Sequence, residues 1–319
     1  MNKSALVTGG AGFLGSFLTE HLLTNGWSVR VLDNLSHGRV ENLGDHRFDK
    51  SFGMIDADLK DRKALTDAVR DVEVVFHFAA NPEVKLSTVD PQLHFNENIL
   101  TTFNLLEAVR IAGNVRYLFF ASSSSVYGEP ERNPVTEDAR SRPVSVYGAT
   151  KASSEMLIMA YSKLYAIRSI SLRYANIVGP RLRHGVIYDF ARKLRTNPCE
   201  LEILGDGNQK RSFLWVEDAI DATLRVLSLA KGHFDVCNVG NEDWISVRDV
   251  AQELVNVAGL KGTRFVYKPV LHGVGWMGDV KEIRLHIGKA QQTGWVPSLD
   301  SRESVRRTAK STLQDIGAI

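Results

Sequence analysis

Residues 4–15 read Ser4-Ala5-Leu6-Val7-Thr8-Gly9-Gly10-Ala11-Gly12-Phe13-Leu14-Gly15, and this stretch decides the fold. Its apolar beginning predicts a short strand, and the apolar spacing from Phe13 onward predicts a helix. Gly10, Gly12 and Gly15 fit the pattern G-x-G-x-x-G, and Gly9, Gly12 and Gly15 fit G-x-x-G-x-x-G. Glycines in either pattern let the backbone turn sharply and bring helix N-terminal N–H groups close to a pyrophosphate. Because a strand precedes the glycines and a helix follows, we interpret the stretch as a dinucleotide-binding turn.

Asp33 indicates which dinucleotide the turn binds. It ends the apolar run 27–33, which predicts a second strand. A carboxylate at this position can bind both ribose hydroxyls of NAD and would repel the 2′-phosphate of NADP. An ordinary strand–helix turn would explain the glycines but not an acid at this distance. We interpret the nearby Arg39 as a solvated loop residue, and the sequence therefore favours NAD.

Length and composition exclude several classes of protein. The chain has 319 residues, 44% hydrophobic, with a formal net charge of +2. This charge gives no argument for nucleic acid or an anionic membrane, and no apolar run approaches the ~20 residues needed to span a bilayer. Cys199 and Cys237 form no redox or ligand motif, residues 1–8 lack a signal-peptide pattern, and we expect a cytoplasmic protein. The nine histidines are scattered, so no metal is expected, and there is no G-x-S-x-G motif of serine hydrolases.

Strand and helix patterns alternate along the first half of the chain. After the opening strand we predict strands at 27–33, 54–59, 72–80, 115–121 and 167–174, and helices at 13–24, 61–71, 95–112 and from 147 to about 165. Alternation of this kind predicts an α/β Rossmann fold, a doubly wound parallel sheet. We expect an NAD-binding domain at 1–175 to which segments near 213–240 return, and an intertwined, smaller substrate-binding lobe at 176–319. His77, inside a predicted strand, is interpreted as a packed core histidine.

Tyr147 and Lys151 are candidates for chemistry. Their i, i+4 spacing places both side chains on one face of a helix. A nearby ammonium stabilises a phenolate and lowers the phenol pKa from its usual ~10, so Tyr147 is a candidate general base toward a hydroxyl. Ser123 ends a predicted strand and could hydrogen-bond the same substrate oxygen. The alternative for the serine run 122–125 is hydroxyls that satisfy local backbone groups.

Together these motifs resemble the extended short-chain dehydrogenase/reductase superfamily, in its NAD-dependent nucleotide-sugar epimerase/dehydratase family. The resemblance is strongest to the UDP-galactose (UDP-glucose) 4-epimerase group. The matching stretches are 8–15, 33–35, 58–59, 77–80, Asn98, 104–108, 122–128, 147–151, 173–176, 205–218 and 278–279.

The resemblance implies that NAD is the cofactor and that UDP-galactose and UDP-glucose are interconverted by transient oxidation at C4 and non-stereospecific return of the hydride. It implies catalytic roles for Ser123, Tyr147 and Lys151. It implies cofactor binding by Gly9, Gly12, Phe13, Leu14, Gly15, Asp33, Asn34, Leu35, Ser36, Gly38, Asp58, Leu59, Phe78, Ala79, Ala80, Asn98, Tyr147 and Lys151. It implies UDP-sugar binding by Val84, Ser123, Ser124, Tyr147, Asn176, Gly185, Val186, Arg211 and Asp279, and a homodimer formed through helices 95–112 and 151–165.

Differences within the family favour an epimerase. Related 4,6-dehydratases carry Asp-Glu at the positions that Ser124 and Ser125 occupy here. Related decarboxylases carry Glu at the second of these positions, that of Ser125. Ile283 is intermediate in size at a position that limits N-acetyl sugars, so a 4-epimerase of UDP-N-acetylglucosamine or UDP-glucuronate is an alternative. A non-catalytic dinucleotide-sensing protein on the same fold is another.

One departure concerns the diphosphate of the substrate. Trp276 stands where the family often has an arginine. Arg181, Arg183 and His184 are candidates to replace that arginine, and solvated loop charge is the alternative interpretation for each of them.

Overall fold

The computed structural model describes residues 3–229 and 232–319. Residues 1–2, at the start of the predicted NAD-binding domain, and residues 230–231, in the segment predicted to return to it, lie outside the described residues. The strands are β1 (Ser4–Thr8), β2 (Ser28–Asp33), β3 (Phe52–Asp56), β4 (Val74–His77), β5 (Tyr117–Ser123), β6 (Arg168–Tyr174), β7 (Asn176–Val178), β8 (Glu200–Leu204), β9 (Lys210–Arg211), β10 (Phe213–Trp215), β11 (Phe234–Val239), β12 (Ile245–Ser246), β13 (Arg264–Lys268) and β14 (Glu282–Ile283).

The helices connect these strands. They are α1 (Phe13–Thr24), α2 (Arg62–Val69), α3 (Pro91–His94), α4 (Thr101–Ala112), α5 (Val146–Tyr165), α6 (Gly185–Thr196), α7 (Val216–Arg225), α8 (Val247–Val257), α9 (Gly288–Gln291) and α10 (Ser301–Asp315). Short 3₁₀ segments lie at Val40–Phe48, Lys85–Thr88, Ser124–Tyr127, Val226–Leu229 and Leu271–Gly273, and Phe95–Leu100 is a π-helix. No helix in the described part of the chain is long and apolar enough to span a bilayer.

A parallel sheet of seven strands forms the centre of the described chain, in the order β3-β2-β1-β4-β5-β6-β11. Every neighbouring pair is parallel. The strand order reverses between β1 and β4, and in sheets of this kind ligands bind where the order reverses, beyond the carboxyl ends of the strands. The predicted doubly wound α/β sheet is therefore confirmed.

Alternate residues of the strands pack on opposite faces of the sheet, as the two-residue period of a strand requires. On β1, Val7 belongs to one hydrophobic core together with Leu18 of α1, and Leu6 belongs to another together with Leu105 of α4. The two cores therefore cover opposite faces of the sheet.

The later part of the chain builds a third core. Strands β8 and β13 pair in parallel, and α6, α8 and α10 pack around Leu201, Phe190 and Leu254. The segment from β10 to β11 lies between these elements in sequence, and β11 pairs with β6 at the edge of the main sheet. The division into domains at 175 and 176 stays a prediction.

Several predicted boundaries are wrong. The third strand ends at Asp56 rather than at 59, because Asp58 accepts a hydrogen bond from the N–H of Lys60 and turns the chain. The fourth strand covers Val74–His77 rather than 72–80, so residues 78–80 lie beyond the end of the strand. The predicted helix 95–112 begins at Pro91, because Asp90 caps that end through the N–H of Leu93, and it contains the π-helical turn.

Candidate active site

The glycine turn after β1 is tightly packed. Gly9 has φ +69°, and a Cβ at this position would lie 2.7 Å from the amide nitrogen of Ala79. A Cβ on Gly15 would lie 2.1 Å from the carbonyl oxygen of Gly9. Only glycine fits at either position, and Gly12 caps the N-terminus of α1, where Phe13 and Leu14 begin the helix. This packing fixes the turn directly before the N-terminus of α1, where unpaired backbone N–H groups can meet an anion.

Asp33 is buried at the end of β2 and holds the turn from the other side. Its carboxylate accepts hydrogen bonds of 2.9 Å from the backbone N–H groups of Ala11 and Leu35. Burial raises the pKa of Asp33, and the two N–H groups act in the opposite direction. Gly38 also lies against this carboxylate, because a Cβ there would be 2.9 Å from both of its oxygens.

The loop after β2 is tied to the loop after β3. Asn34 donates from Nδ2 to Asp58 at 2.9 Å, and the N–H and hydroxyl of Ser36 donate to the side-chain oxygen of Asn34. Leu59, next to Asp58, is buried. The predicted cofactor-binding residues Asn34, Ser36 and Asp58 are therefore brought together.

Asn98 connects the end of β4 to helix α5. Its side-chain oxygen accepts from the N–H of Asn81, which follows the predicted cofactor residues Phe78, Ala79 and Ala80. Its side-chain nitrogen donates to the hydroxyl of Thr150 at 3.0 Å. Asn98 lies in the π-helical turn, and such turns often occur at functional sites.

Lys151 is buried beside Tyr147. The Lys151 ammonium donates to the carbonyl oxygen of Ala121 at 2.7 Å and lies 5.8 Å from the centre of the Tyr147 ring. Burial lowers the pKa of Lys151 to about 7, and Glu155 acts in the opposite direction. Desolvation raises the pKa of Tyr147 to about 12, and the side chain of Ser123 lowers it.

The hydroxyl of Ser123 has a defined direction. Its oxygen accepts hydrogen bonds from Ser125, from the hydroxyl at 2.9 Å and from the N–H at 3.2 Å. The hydrogen of Ser123 is therefore free to donate elsewhere, to a phenolate or a substrate oxygen. Ser123 ends β5, and Ser124 and Ser125 begin the short helix that follows. No acidic side chain occupies this run.

A buried ion pair joins α5 to β6. Arg173 of β6 and Glu155 of α5 lie 2.7 Å apart, and both side chains are only 7% exposed. The hydroxyl of Ser122 donates to the same carboxylate at 2.6 Å. The sequence analysis did not identify Glu155, although its i+4 relation to Lys151 places it on the same helical face.

His94 is a second residue that the sequence analysis missed. It is fully buried, and its ring lies edge-on to Tyr147 with centroids 6.1 Å apart. Burial lowers the pKa of His94, so the ring is neutral near pH 7. The spacing of four residues between His94 and Asn98, which is one helical turn, was the sequence signal that could have identified it.

Three of the residues predicted to bind the UDP sugar, Asn176, Arg211 and Asp279, are linked by short contacts. Arg211 of β9 lies 2.7 Å from Asp279, and its half-buried guanidinium also donates to the carbonyl oxygen of Lys281, just before β14. Asp279 also accepts from the N–H of Gly275. Asn176 donates to the carbonyl oxygen of Ser212, next to Arg211. The pairing of β9 with β14 places Ile283 beside Arg211.

In the basic loop 181–184, both arginines pair with acidic side chains of other helices. Arg181 pairs with Glu20 of α1 at 3.1 Å, and Arg183 pairs with Asp315 of α10 at 2.9 Å. That one of them replaces the arginine stays a prediction. His184 precedes α6, which Gly185 and Val186 begin, and Val84 begins the short helix after β4. The indole N–H of Trp276 is buried without a hydrogen-bond partner in the described structure.

Comparison with known proteins gives one family. Residues 5–240 match the model of the NAD dependent epimerase/dehydratase family. The putative UDP-glucose 4-epimerase of Methanocaldococcus jannaschii is 35% identical over 308 residues, covering 95% of this chain and 96% of that protein.

Solved structures agree along the whole chain. A UDP-galactose 4-epimerase is 44% identical, with a TM-score of 0.87, covering 98% of this chain and 99% of that one. The UDP-glucuronic acid 4-epimerase of Bacillus cereus, in complex with UDP-glucuronic acid and NAD, is 30% identical with the same TM-score and coverage. A UDP-N-acetylglucosamine 4-epimerase is also similar.

Proposed function

Because this chain belongs to the NAD-dependent epimerase/dehydratase family, we propose that it interconverts UDP-galactose and UDP-glucose by epimerisation at C4. It is an epimerase whose cofactor is NAD, and its relatives act on UDP sugars. The observation that carries the proposal is the buried Lys151 beside Tyr147 and Ser123, at the edge of the sheet where the glycine turn lies. A protein that only senses a dinucleotide does not need a general base.

The residues around the glycine turn fit NAD. Gly9 and Gly15 let the turn pack tightly against its own backbone and against Ala79 at the start of α1, where helix N-terminal N–H groups can meet a pyrophosphate. Asp33 has backbone N–H partners at both oxygens and retains lone pairs for ribose hydroxyls. When bound, NAD supplies the oxidant that removes a hydride from the sugar carbon and the reductant that restores it.

Tyr147 is proposed as the general base. Its phenolate would take the proton of the 4-hydroxyl, and its phenol would return that proton to the 4-keto oxygen after the sugar has turned over. Formation of the phenolate requires nearby positive charge, which Lys151 provides from within its buried position. The free hydrogen of Ser123 is directed toward the same oxygen in this proposal.

The serine run supports epimerisation over elimination. Loss of water or carbon dioxide from a keto sugar needs an acid or base near the neighbouring carbons. Ser124 and Ser125 are neutral at pH 7 and cannot replace a carboxylate in this role. The keto sugar therefore retains its substituents until the hydride returns.

Arg211 is proposed to bind the UDP diphosphate and Asp279 the uridine ribose. Their mutual ion pair holds both side chains in position. A diphosphate would bring a second anion to Arg211, whose fixed guanidinium donors suit phosphate oxygens. Asn176, through its neighbour Ser212, is joined to the same cluster.

A homodimer is proposed from the outer surface of α4 and α5. Ile111 is 70% exposed, Met156 61% and Leu164 71%. Exposed apolar side chains concentrated on neighbouring helices mark an interaction surface. A second copy of the chain would cover these side chains in an interface that repeats itself across a two-fold axis.

The purified protein incubated with a panel of UDP sugars tests the function. We expect UDP-galactose to give UDP-glucose, followed by ¹H NMR of the sugar protons, with slower or no conversion of UDP-glucuronate and UDP-N-acetylglucosamine. Preferred conversion of UDP-glucuronate would assign the activity of the Bacillus cereus relative instead. Conversion of none of the three sugars by protein that binds NAD would reject the proposal and favour a sensing role.

A further inference from the structure

His77 is a buried titratable group to which the proposed chemistry gives no role. It ends β4, is 1% exposed, and both of its ring nitrogens have hydrogen-bond partners. Nδ1 lies 2.8 Å from the hydroxyl of Thr8, the residue before the glycine turn. Nε2 lies 2.9 Å from the hydroxyl of Thr102 on α4. An apolar side chain would fill this core position without such partners.

The surrounding bonds fix which ring nitrogen carries the proton. Thr102 donates its hydroxyl hydrogen to the carbonyl oxygen of Asn98 at 2.6 Å, so toward His77 it can only accept. Nε2 must therefore carry the hydrogen. Nδ1 is then an acceptor, and Thr8 donates to it. Burial, with a smaller effect of the charge on Lys151, lowers the pKa of His77 to about 3, so the neutral ring with this tautomer is the working form.

The hydrogen bonds continue beyond both threonines. On one side, the N–H of Ala79 donates to the hydroxyl of Thr8 at 3.3 Å, directly beside Gly9. On the other side, Asn98 donates to Thr150, and Thr150 donates to the carbonyl oxygen of Tyr147 at 2.8 Å. A continuous path of polar contacts therefore joins the glycine turn to the catalytic turn of α5.

We propose that His77 is a positioning residue that fixes the NAD-binding turn through Thr8 and, separately, the Asn98–Tyr147 segment through Thr102. The inference rests on the proposed role of Tyr147 and goes beyond it by giving the two halves of the site a common anchor. His77 contacts neither cofactor nor sugar in this proposal. It acts by holding β1, β4 and α4 in fixed positions relative to one another. A misplacement of the reacting groups by about 1 Å can cost about a hundredfold in rate.

The two ring nitrogens can be tested separately, because amide side chains imitate them one at a time. In His77→Asn the amide oxygen can take the place of Nδ1 and accept from Thr8, while the contact to Thr102 is lost. In His77→Gln the longer amide can place its NH₂ near Nε2 and donate to Thr102, while the contact to Thr8 is lost. Thr8→Val and Thr102→Val remove the same contacts from the other partner with little change of shape, and they also remove the bond from Ala79 to Thr8 and the bond from Thr102 to Asn98.

The readouts are the Kd for NAD, by titration calorimetry on protein stripped of cofactor, and kcat for UDP-galactose at saturating NAD. We expect His77→Gln and Thr8→Val to raise the Kd for NAD at least tenfold and to lower kcat by a smaller factor. We expect His77→Asn and Thr102→Val to lower kcat at least tenfold and to raise the Kd for NAD by a smaller factor.

Equal loss of Kd and kcat in all four variants, or no loss in any, would overturn the proposal and leave His77 as core packing. If one His77 variant does not fold, the other His77 variant decides together with the valine variant that removes the same contact. Tyr147→Phe, assayed in the same series, separates the two proposals. Full turnover in that variant would reject the role of Tyr147, whereas the NAD titration of His77→Gln and Thr8→Val would still test the anchor at the glycine turn.

Discussion

The ammonium of Lys151 lies 5.8 Å from the centre of the Tyr147 ring, and the lysine side chain is buried. Desolvation lowers the pKa of Lys151 to about 7, whereas a free lysine has 10.5. Desolvation raises the pKa of Tyr147 to about 12. A phenolate on Tyr147 would strengthen proton binding by Lys151, and the ammonium of Lys151 would stabilise the phenolate. Burial disfavours the Tyr147 phenolate and the Lys151 ammonium when either is present alone, and their mutual attraction offsets this when both are present.

This arrangement predicts that Lys151 reduces the stability of the protein without cofactor. Between pH 7 and 10.5 the unfolded chain binds the lysine proton and the folded chain does not, so the free energy of unfolding rises with pH in that window. Lys151→Met removes this penalty while losing turnover. We expect the variant to unfold at higher urea concentration than wild type at pH 6.5, with the difference shrinking toward pH 10. A variant that is less stable by the same amount at both pH values would contradict this.

The glycine turn predicts a sharp effect of one methyl group. In Gly15→Ala the new Cβ would lie 2.1 Å from the carbonyl oxygen of Gly9, which is backbone and cannot rotate away. We expect unfolding to become easier by about 1–3 kcal/mol and the Kd for NAD to rise at least tenfold. Gly53→Ala in β3 is the matched control, because nothing lies within 4 Å of its Cβ. Unchanged NAD affinity in Gly15→Ala would show that the turn is not where the pyrophosphate binds.

The ion pair between Glu155 and Arg173 predicts a large loss of stability when it is broken. Glu155→Gln would leave the guanidinium of Arg173 buried without a counter-charge, which costs about 3–5 kcal/mol. Urea denaturation would measure the loss. Asp67→Asn, which removes the exposed partner of Lys63, should cost less than about 1 kcal/mol. Similar small losses in both variants would mean that the buried pair is open to water.

Sequence reasoning succeeded where a local pattern has a single structural outcome. The glycine turn and the alternation of strand and helix patterns predicted the parallel sheet and α1 with its bounds, because backbone sterics and burial allow few alternatives. It failed where side chains distant in sequence decide the geometry. The buried partners Glu155 and Arg173 and the edge-on ring of His94 are set by packing between separate elements. Arg181 has a partner on α1, 161 positions away in the chain, which no local pattern indicates.

The proposed dimer can be tested on α5. Met156 and Met159 are 61% and 47% exposed and lie three residues apart, on one side of the helix. Met156→Glu together with Met159→Glu would place two charges in the apolar surface. Light scattering at micromolar concentration should show a dimer for wild type and a monomer for the double variant. Glutamate at Val296, which is 65% exposed outside this surface, is the control and should leave the dimer intact. A wild-type monomer would refute the dimer.

The most direct test of the proposed chemistry is UDP-galactose turnover in D₂O by wild type and Tyr147→Phe, with the product analysed by NMR. Transfer of hydride away from C4 and back predicts UDP-glucose with hydrogen, not deuterium, at C4. General-base catalysis contributes about 10²–10⁴ in rate, so the phenylalanine variant should lose at least a hundredfold in kcat and still bind NAD. Tyr161→Phe, on the outer part of the same helix, should keep its turnover. Deuterium at C4, or near-normal turnover by Tyr147→Phe, would contradict hydride return with Tyr147 as the base.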